Sequence, residues 1–452
     1  MQRKDKQYCL FISYEFPPLQ VGGVYRTLGF VNKLKGSGII PIVITLDNDS
    51  ITNANGDLSL DEKLLDNINE EAIVLRIGSK LNLKQQCSFF RTLDIIGYPN
   101  GVENKYWESN VLAEINSIIF KYNPKILFCT APPFSVIDLA SKISKAFKIP
   151  LILDLRDAWS NWFTSPYFSF FHFFYKRYKE RKHIKNASKV IVTSKQTMAD
   201  FISLNNIKDH NKFVYIPNGY EGELLPWQSL DSGKEKIKIG YLGSFYYDPI
   251  ARENLLKPWY KKCGHHKLQY VPNYQDWKYR SPHFFFSALK KLEKINSSLF
   301  KKIEIHFIGK QPIWLDAMIN NFGIEDIVFQ HGVKSREESI SFQRDVDCLL
   351  ITSAKVINGL DYSIAGKTFE YFQNQKPILA FVADGAQKEI LQNSGMSLIL
   401  DPDEPEIAAK SLNDFMTGEI QLYPNIDFIK QHSRANCTAQ LVEVFESILK
   451  FK

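Results

Sequence analysis

The sequence has little cysteine and no paired cysteine motif. Its six cysteines are scattered, and none of them forms a CxxC pair. Several lie in apolar runs, as in KILFC (125–129) and DCLLI (347–351). This distribution is not that of a disulfide-stapled secreted protein, and it predicts reduced, mostly buried thiols in a reducing compartment. The cysteines are Cys9, Cys87, Cys129, Cys263, Cys348 and Cys437.

Long hydrophobic runs are also missing. Residues 1–14, MQRKDKQYCLFISY, do not have the architecture of a secretory signal peptide, because the apolar run is short and lacks a small-residue cleavage site. The nearest approach to a membrane span is 158–175, which carries no charge but contains Asn161, Pro166 and His172. These polar and helix-breaking residues argue against a span, and we expect a cytoplasmic protein.

Charge of one sign is not concentrated over the chain as a whole. The formal net charge is +7, with 44% hydrophobic and 23% charged residues, which is typical of a soluble globular protein and excludes a disordered one. A length of 452 residues fits two large domains. The pI of about 8.8 raises the alternative of a nucleic-acid binder. No RNP, zinc-finger or helix-turn-helix pattern accompanies it, so we expect no nucleic-acid partner.

Apolar strand-like runs alternate with helical patterns along the chain, which predicts an α/β protein with mostly parallel, doubly wound sheets. The alternation restarts after a Gly-, Ser- and charge-rich stretch at 219–236, which we interpret as a linker. The predicted strands are 8–14, 39–45, 72–77, 125–129, 150–154, 189–194 and 213–216 in the first half, and 236–242, 303–309, 326–330, 347–352, 376–381 and 397–400 in the second.

These patterns predict a Rossmann-like domain at 1–222, a second one at 236–427, and a helix within 428–452 that returns to the first domain. Ligands of open α/β sheets bind beyond the carboxyl ends of the strands. We therefore expect the two sheets to face a cleft, with the functional residues in the loops that follow the strands.

In the first half, glycines and charged residues follow two of the predicted strands. The loop EFPPLQVGGVYR (15–26) opens a helix, whose free N–H groups and dipole favour an anion. The loop DLRDAW (154–159) places two carboxylates and an arginine at a strand end. Each loop has a structural alternative: a tight turn for the glycine pair, and an Asp–Arg pair that ties the second loop together.

The richest stretch of the second half is GLDYSIAGKTFEYFQNQKPILAF (359–381). Lys367 and Glu370 are three residues apart and share one face of a helix that begins near Gly366. The helix N-terminus and Lys367 suit a diphosphate, and Glu370 suits two ribose hydroxyls. The alternative is an ordinary surface Lys–Glu pair. Two further strand ends carry a glycine, one at Gly243 and one followed by a cation, Lys310.

Taken in order, several segments resemble the retaining glycosyltransferases of family 4, which have the GT-B fold. The segments are PPLQVGGVYR, DLRDAW, ASKVIVTSKQTMADF, IPNGY, YLGSF, IEIHFIGK and GKTFEYFQNQKPILA. The resemblance covers nearly the whole chain and is nearest to bacterial enzymes of surface-polysaccharide (O-antigen or capsule) assembly. It implies transfer of a sugar from a UDP- or GDP-sugar to a lipid-linked or growing saccharide, with no cofactor and no metal. Cations and helix dipoles would stabilise the leaving nucleoside diphosphate.

The resemblance also implies roles for individual residues. Lys367 and the helix N-terminus at Gly366 would hold the diphosphate, Glu370 the ribose, and the loop 330–335, with Gly332 and Val333, the base. The residues that would face the phosphates and the acceptor from the first domain are Glu15, Gly22, Gly23, Arg26, Asp154 and Arg156.

The chain departs from the family pattern at three points. A first glutamate of the second domain is replaced by Tyr362, and Asp361 beside it becomes the candidate for the hydroxyls of the donor sugar. Ser244 stands where an arginine is common, which leaves the diphosphate to Lys310 or Lys367. The segment TAPPFSV (130–136) lacks a common histidine. Asp157 is therefore the candidate base or acceptor-positioning residue, and with Lys367 and Glu370 it completes the predicted catalytic set.

Two segments are peculiar to this chain. The insert 246–282 contains Cys263, His265 and His266, whose spacing is poor for a metal site, and we interpret it as an aromatic-rich flap or interaction surface. The segment 168–185 mixes aromatic and basic residues, which suits peripheral attachment to an anionic membrane at the inner face of the cell membrane. Its alternative is a core-facing helix with a solvated face.

A second enzyme class fits the same donor pocket. A nucleotide-sugar epimerase of the same fold would need acid–base groups for its sugar, and Glu15, Asp154 and Asp157 are available. The order of the first-domain loops favours transfer.

Overall fold

In the computed structural model, which describes residues 6–54, 60–79, 103–161 and 166–450, the chain divides into two compact units. The first unit comprises residues 1–219 and 434–452, and the second comprises residues 220–433. Cys87 and part of the apolar segment 158–175 lie outside the described residues.

The first unit is built on a parallel sheet, as predicted. Among the described residues its strands are β1 (Gln7–Ile12), β2 (Ile39–Leu46), β3 (Ile73–Ile77), β4 (Ile126–Ala131), β5 (Leu151–Leu155), β6 (Lys189–Val192) and β7 (Phe213–Tyr215). They pair in the order β3-β2-β1-β4-β5-β6-β7. Every residue of β2, β4 and β5 is buried, which is the pattern of a parallel sheet with both faces covered.

The second unit repeats this plan. Its main sheet contains, in the described part of the chain, β8 (Ile237–Leu242), β10 (Ile303–Ile308), β11 (Val328–Gln330), β12 (Cys348–Thr352), β14 (Ile378–Phe381) and β15 (Ser397–Leu400). Their order is β11-β10-β8-β12-β14-β15, and all neighbours are parallel. Two short strands, β9 (Gln275–Asp276) and β13 (Lys355–Val356), form a separate antiparallel pair.

Both sheets reverse their strand order beside the first strand. In the first unit the reversal lies between β1 and β4, and in the second between β8 and β12. Such a reversal leaves a crevice beyond the carboxyl ends of the two strands, where α/β sheets bind ligands. The predicted fold class of two Rossmann-like units is confirmed.

Helices connect the strands of both sheets. The first unit contains α1 (Gly22–Lys33), α2 (Asn48–Ala54), α3 (Lys63–Asp66), α4 (Glu103–Tyr122), α5 (Val136–Phe147), α6 (Phe170–Asn186) and α7 (Lys195–Asn205). The second contains α8 (Pro249–Leu256), α9 (His283–Ile295), α10 (Ser297–Phe300), α11 (Trp314–Phe322), α12 (Arg336–Asp345), α13 (Lys367–Asn374), α14 (Ala386–Ser394), α15 (Pro405–Met416) and α16 (Ile426–Gln431).

The final helix, α17 (Arg434–Lys450), belongs to the first unit. It packs along α1, and its Leu441 and Phe445 are buried in one apolar cluster with Phe11 of β1 and Phe128 of β4. The ring of Phe445 meets those of Phe11 and Phe128 edge-on, at centroid distances of 6.3 and 6.1 Å. The expected return of the chain end to the first domain is confirmed.

The C-terminal helix is shorter than predicted, because the stretch near 428 forms a helix of its own. Asn425 caps α16 by accepting from the N–H of Phe428, and α16 ends at Gln431. The N–H of Tyr220 then donates to the carbonyl of His432 at 3.0 Å, which holds this turn in the second unit.

The stretch interpreted as a linker also belongs to the second unit. The N–H groups of Leu225 and Gln228 donate to the carbonyls of Gln373 and Gln375 at 3.0 and 2.9 Å. These hydrogen bonds tie the stretch to the end of α13, and the second unit therefore begins at Tyr220 rather than at residue 236.

Burial of the cysteines follows the sequence prediction where the structure describes them. Cys9, Cys129, Cys348 and Cys437 are buried free thiols, while Cys263 of the insert is exposed. None of the helices in the described residues is long and apolar enough to cross a membrane.

Candidate functional site

Three glycine loops meet at the carboxyl edge of the second sheet. The N–H of Gly243, after β8, donates to the carbonyl of Ile308 at 2.7 Å. The N–H of Gly309, after β10, donates to the carbonyl of Gly332, after β11, at 2.9 Å. Gly309 has a φ of +141°, and a Cβ there would lie 2.5 Å from the carbonyl oxygen of Gly243. Only glycine allows loops to approach this closely.

The side chain of Lys367 joins the first turn of α13 to this edge. Its ammonium donates to the carbonyl oxygen of Leu242, the last residue of β8. It also lies 3.6 Å from the ring centroid of Tyr241, a cation–π contact. A Cβ on Gly243 would lie 3.3 Å from the ammonium nitrogen. The ammonium of Lys367 therefore lies at the carboxyl end of β8, the first strand of the second unit.

The surroundings of Lys367 weaken its hold on a proton. Burial lowers the pKa of Lys367 to about 7, Glu370 opposes this shift, and Arg280 adds to it. Part of the residue remains accessible, while the ammonium lies among protein atoms. Because burial lowers this pKa, an anion beside Lys367 would stabilise the charged form of its side chain.

Glu370 lies one turn further along α13 and is exposed. Among the described residues its carboxylate has one hydrogen-bond partner, the amide of Gln343, at the long distance of 3.4 Å. Its influence on the pKa of Lys367 shows that the two side chains are electrostatic neighbours. The carboxylate is thus available to accept hydrogen bonds from a ligand.

Ser244, Lys310 and Val333 of the predicted donor site follow β8, β10 and β11, and Gly366 precedes α13. Ser244 is half-buried, Lys310 is exposed, and Val333 is 77% exposed. Gly366 is exposed at the start of α13, and a Cβ added there would meet nothing within 4 Å. These residues border the edge formed by Gly243, without direct contacts that fix their roles.

Asp361, the candidate for the hydroxyls of the donor sugar, is enclosed by the protein. It is 1% exposed, and its carboxylate accepts from the N–H and hydroxyl of Ser363 at 3.0 and 2.8 Å. Burial raises the pKa of Asp361, while Arg280 and the hydrogen bonds lower it. Asp361 therefore stabilises the loop before α13 through its buried hydrogen bonds.

Sequence reasoning missed Arg280, which lies near the end of the insert 246–282. Its guanidinium donates to the hydroxyl of Ser363 at 3.1 Å. Its charge affects the pKa values of both Asp361 and Lys367. No local spacing signals this position, because it depends on the pairing of β9 with β13.

In the first unit, Arg26 and Asp154 form a buried ion pair. The guanidinium of Arg26 contacts the carboxylate of Asp154 at 2.8 Å, with exposures of 4% and 1% for the two side chains. It also donates to the carbonyls of Ile216 and Pro217 at 2.9 and 2.8 Å, and to the amide oxygen of Asn218 at 3.2 Å. These bonds engage the donors of the guanidinium within the unit, so the pair ties α1 to the ends of β5 and β7.

Arg156 ties the loops after β1, β4 and β5 together. Its guanidinium contacts the carboxylate of Glu15 at 3.1 Å and donates to the carbonyl of Pro132. A Cβ on Gly23 would overlap this guanidinium, whereas Gly22 has open space around it. The geometry matches the loop-tying alternative for the DLRDAW segment and explains one glycine of the pair.

Asp157 lies within the DLRDAW loop and is half-buried. No group of three His, Cys, Asp or Glu side chains that could hold a metal ion occurs among the residues described. The side chains of His265 and His266 in the insert lie outside the part of the structure that is described.

No family model matches the chain, and no curated protein matches it by sequence. Solved structures match it over nearly its whole length. Sucrose-phosphate synthase from Thermosynechococcus elongatus has a TM-score of 0.61 and 11% identity, over 99% of this chain and 100% of that one. The lipopolysaccharide outer core galactosyltransferase WaaB has 0.59 and 13%, over 98% and 99%.

HepE of Anabaena in complex with UDP-glucose has a TM-score of 0.54 and 13% identity, over 97% of this chain and 99% of that one. The UDP-GlcNAc 2-epimerase from Methanocaldococcus jannaschii has a TM-score of 0.50 and 9% identity, over 98% of this chain and 100% of that one. At these identities the likeness concerns the fold alone, and with the two parallel sheets it shows that the chain has the GT-B fold.

Proposed function

We propose that this GT-B chain is a retaining, metal-independent glycosyltransferase of the family-4 type that binds a nucleoside diphosphate sugar at the carboxyl edge of its second sheet. The acceptor would be a lipid-linked or growing saccharide of a bacterial surface polysaccharide. Similarity to glycosyltransferases and to a UDP-glucose complex supports a nucleotide-sugar substrate.

The enclosed ammonium of Lys367 is the observation that carries the proposal. It stands at the first turn of α13, among glycine loops that leave backbone accessible, with the exposed carboxylate of Glu370 one turn away. A cation and a helix N-terminus suit a diphosphate, and a free carboxylate suits the two hydroxyls of a ribose. As the bond to the sugar breaks, the same cation stabilises the charge on the leaving diphosphate.

A change at Glu370 tests the donor site. We expect UDP or GDP to raise the melting temperature of the parent protein, since a ligand that binds only the folded state stabilises it. Glu370→Ala should weaken this nucleotide binding about tenfold, the loss expected for two hydrogen bonds. Thermal shift and titration calorimetry measure both effects.

The matched control is Glu325→Ala, which removes another exposed carboxylate of the second unit. Because Glu370 is exposed and has one long hydrogen bond in the described protein, its loss should change the melting temperature without ligand only slightly. Equal binding by Glu370→Ala, Lys367→Ala and the parent would refute the site.

A nucleotide-sugar epimerase is the second candidate, because a UDP-GlcNAc 2-epimerase occurs among the similar structures. Incubation with a UDP-sugar and no acceptor separates the two functions. An epimerase converts the donor sugar under these conditions, whereas a transferase requires the acceptor.

Helix α6 supports peripheral attachment to an anionic membrane, which would bring the enzyme to a lipid-linked acceptor. Its first half exposes aromatic side chains, including Phe171 at 83% and Tyr178 at 63%. The basic residues Arg181, Lys182 and Lys185 of its second half are exposed. Its acidic residue, Glu180, is fully buried and accepts from Asn205 at 2.6 Å. The exposed charge of α6 is therefore basic, next to aromatic rings.

Flotation with vesicles tests this attachment. We expect the parent to float with vesicles of phosphatidylglycerol and to stay behind with pure phosphatidylcholine. Charge reversal at Arg181, Lys182 and Lys185 should abolish flotation, because each basic side chain near an anionic surface contributes about 1 kcal/mol.

Reversal of three exposed lysines of the second unit, Lys294, Lys301 and Lys410, is the control and should leave flotation intact. If the parent does not float with anionic vesicles, the attachment is wrong.

A further inference from the structure

The insert 246–282 is anchored to the second unit by its last residues. Strand β9 pairs with β13, and the N–H of Ile357 donates to the carbonyl of Tyr274 at 2.8 Å. Within the insert, the guanidinium of Arg252 in α8 donates two hydrogen bonds to the carboxylate of Asp276, at 2.7 and 2.6 Å. These contacts therefore hold the backbone near the end of the insert in place.

That backbone places Arg280 beside the carboxyl end of β12. The hydroxyl of Thr352, the last residue of β12, donates to the carbonyl of Arg280 at 3.3 Å. The side chain extends to Ser363, whose hydroxyl accepts from the guanidinium and donates to Asp361. Ser363 lies in the loop that leads into α13, so Arg280 reaches the same crevice as Lys367.

The guanidinium of Arg280 is only partly used. Within the described residues it makes one hydrogen bond, to Ser363, although an arginine carries five N–H donors. The hydroxyl of Ser363 bridges Arg280 and Asp361 by hydrogen bonds, in place of a direct ion pair between the two charged groups. Ser363 lies four residues before Lys367, so the hydrogen bond to Ser363 holds a second positive charge at the loop that leads to the buried ammonium. In agreement with this position, the charge of Arg280 lowers the pKa of Lys367. Two neighbouring cations with spare donors favour a ligand with more than one negative charge.

Ser244 leaves the end of β8 without a cation of its own. We propose that Arg280, supplied by the insert, is the second cation of the diphosphate site and positions the phosphates against Lys367. This inference rests on the proposed function. It gives the insert a role within the donor site and makes the β9–β13 pair part of the binding apparatus.

Calorimetric titration of the full-length protein with UDP and with inorganic pyrophosphate tests the assignment. We expect Arg280→Ala to bind each ligand about tenfold more weakly, because a charge-assisted hydrogen bond is lost. Arg280→Gln, which can still donate to Ser363 but has no charge, should show the same loss. Arg280→Lys should recover part of the affinity.

The matched control is Lys261→Ala, which removes an exposed charge of the same insert and should bind both ligands like the parent. Parent-like binding of UDP and pyrophosphate by Arg280→Gln overturns the role of Arg280 and leaves the proposed function standing. A parent protein that binds neither UDP nor GDP overturns the proposed function and this inference together.

Discussion

Asp154→Ala is expected to destabilise the first unit by about 3–5 kcal/mol, because it leaves the guanidinium of Arg26 buried without its counter-charge. The two side chains are almost fully enclosed, and Asp154 also accepts from the hydroxyl of Thr130 at 2.9 Å. A loss of this size reduces the equilibrium constant for folding more than a hundredfold. It should occur without any change in a residue that touches the nucleotide.

Hydrogen exchange of the full-length protein measures this effect unit by unit. Protection should fall in β1, β4 and β5, and it should stay unchanged in the sheet of the second unit. Lys35→Ala is the control, since it breaks an exposed ion pair with Glu70 and should leave protection as it is. Unchanged protection of the first sheet in Asp154→Ala would contradict the structural role of the pair.

Removing both charges should recover only part of the loss. In an Arg26→Met, Asp154→Val double variant no unpaired charge remains, which relieves the largest cost. The carbonyls of Ile216 and Pro217 still lose their donor and stay buried without a partner. The double variant should therefore lie between the parent and Asp154→Ala in stability.

UDP-glucose is expected to bind about tenfold more weakly for each pH unit above 7. Burial lowers the pKa of Lys367 to about 7 in the free protein, and the charge of a bound diphosphate raises it again. Below pH 7 the ammonium is already charged, so the affinity is fully present there. Above pH 7 binding must take up a proton, so the affinity falls until the pKa of the complex is reached.

Calorimetry between about pH 6 and pH 8.5 measures this slope and the accompanying proton uptake. UDP-glucose is the appropriate ligand, because its diphosphate is a diester with no proton to lose near neutrality. Lys367→Arg keeps its charge throughout this range and should give a flat profile, whatever its affinity. A flat profile for the parent, or the same slope in Lys367→Arg, would exclude Lys367 as the titrating group.

The sequence predicts which candidate residues of the second unit lie together where their spacing along the chain is short. Lys367 and Glu370 are three residues apart on a helix, so their shared face follows from helix geometry alone. Gly243 and Gly309 end apolar runs, and parallel strands bring their ends to one edge. The central strands β2, β4 and β5 are buried throughout, because both faces of the first sheet are covered there.

Residues whose positions depend on distant pairing escape such reasoning. Arg280 reaches the site only because β9 pairs with β13, and nothing in the spacing of the insert announces this. From the sequence alone, the charges of Arg26 and Asp154 fit a ligand as well as they fit an ion pair with each other. Their separation of 128 positions conceals that each is the other's partner. Long-range satisfaction of buried polar groups is visible only when the chain is folded.

The position of α17 bears on the order in which the protein matures on the ribosome. Phe445 completes the apolar cluster around Phe11 and Phe128, although it is synthesised more than three hundred residues after them. The second unit, by contrast, is drawn from one continuous stretch, 220–433. During synthesis the second unit can therefore fold while the first sheet still lacks α17, one of the helices that cover one of its faces. In this interval the apolar surface that α17 later covers is exposed, which favours aggregation and the binding of chaperones.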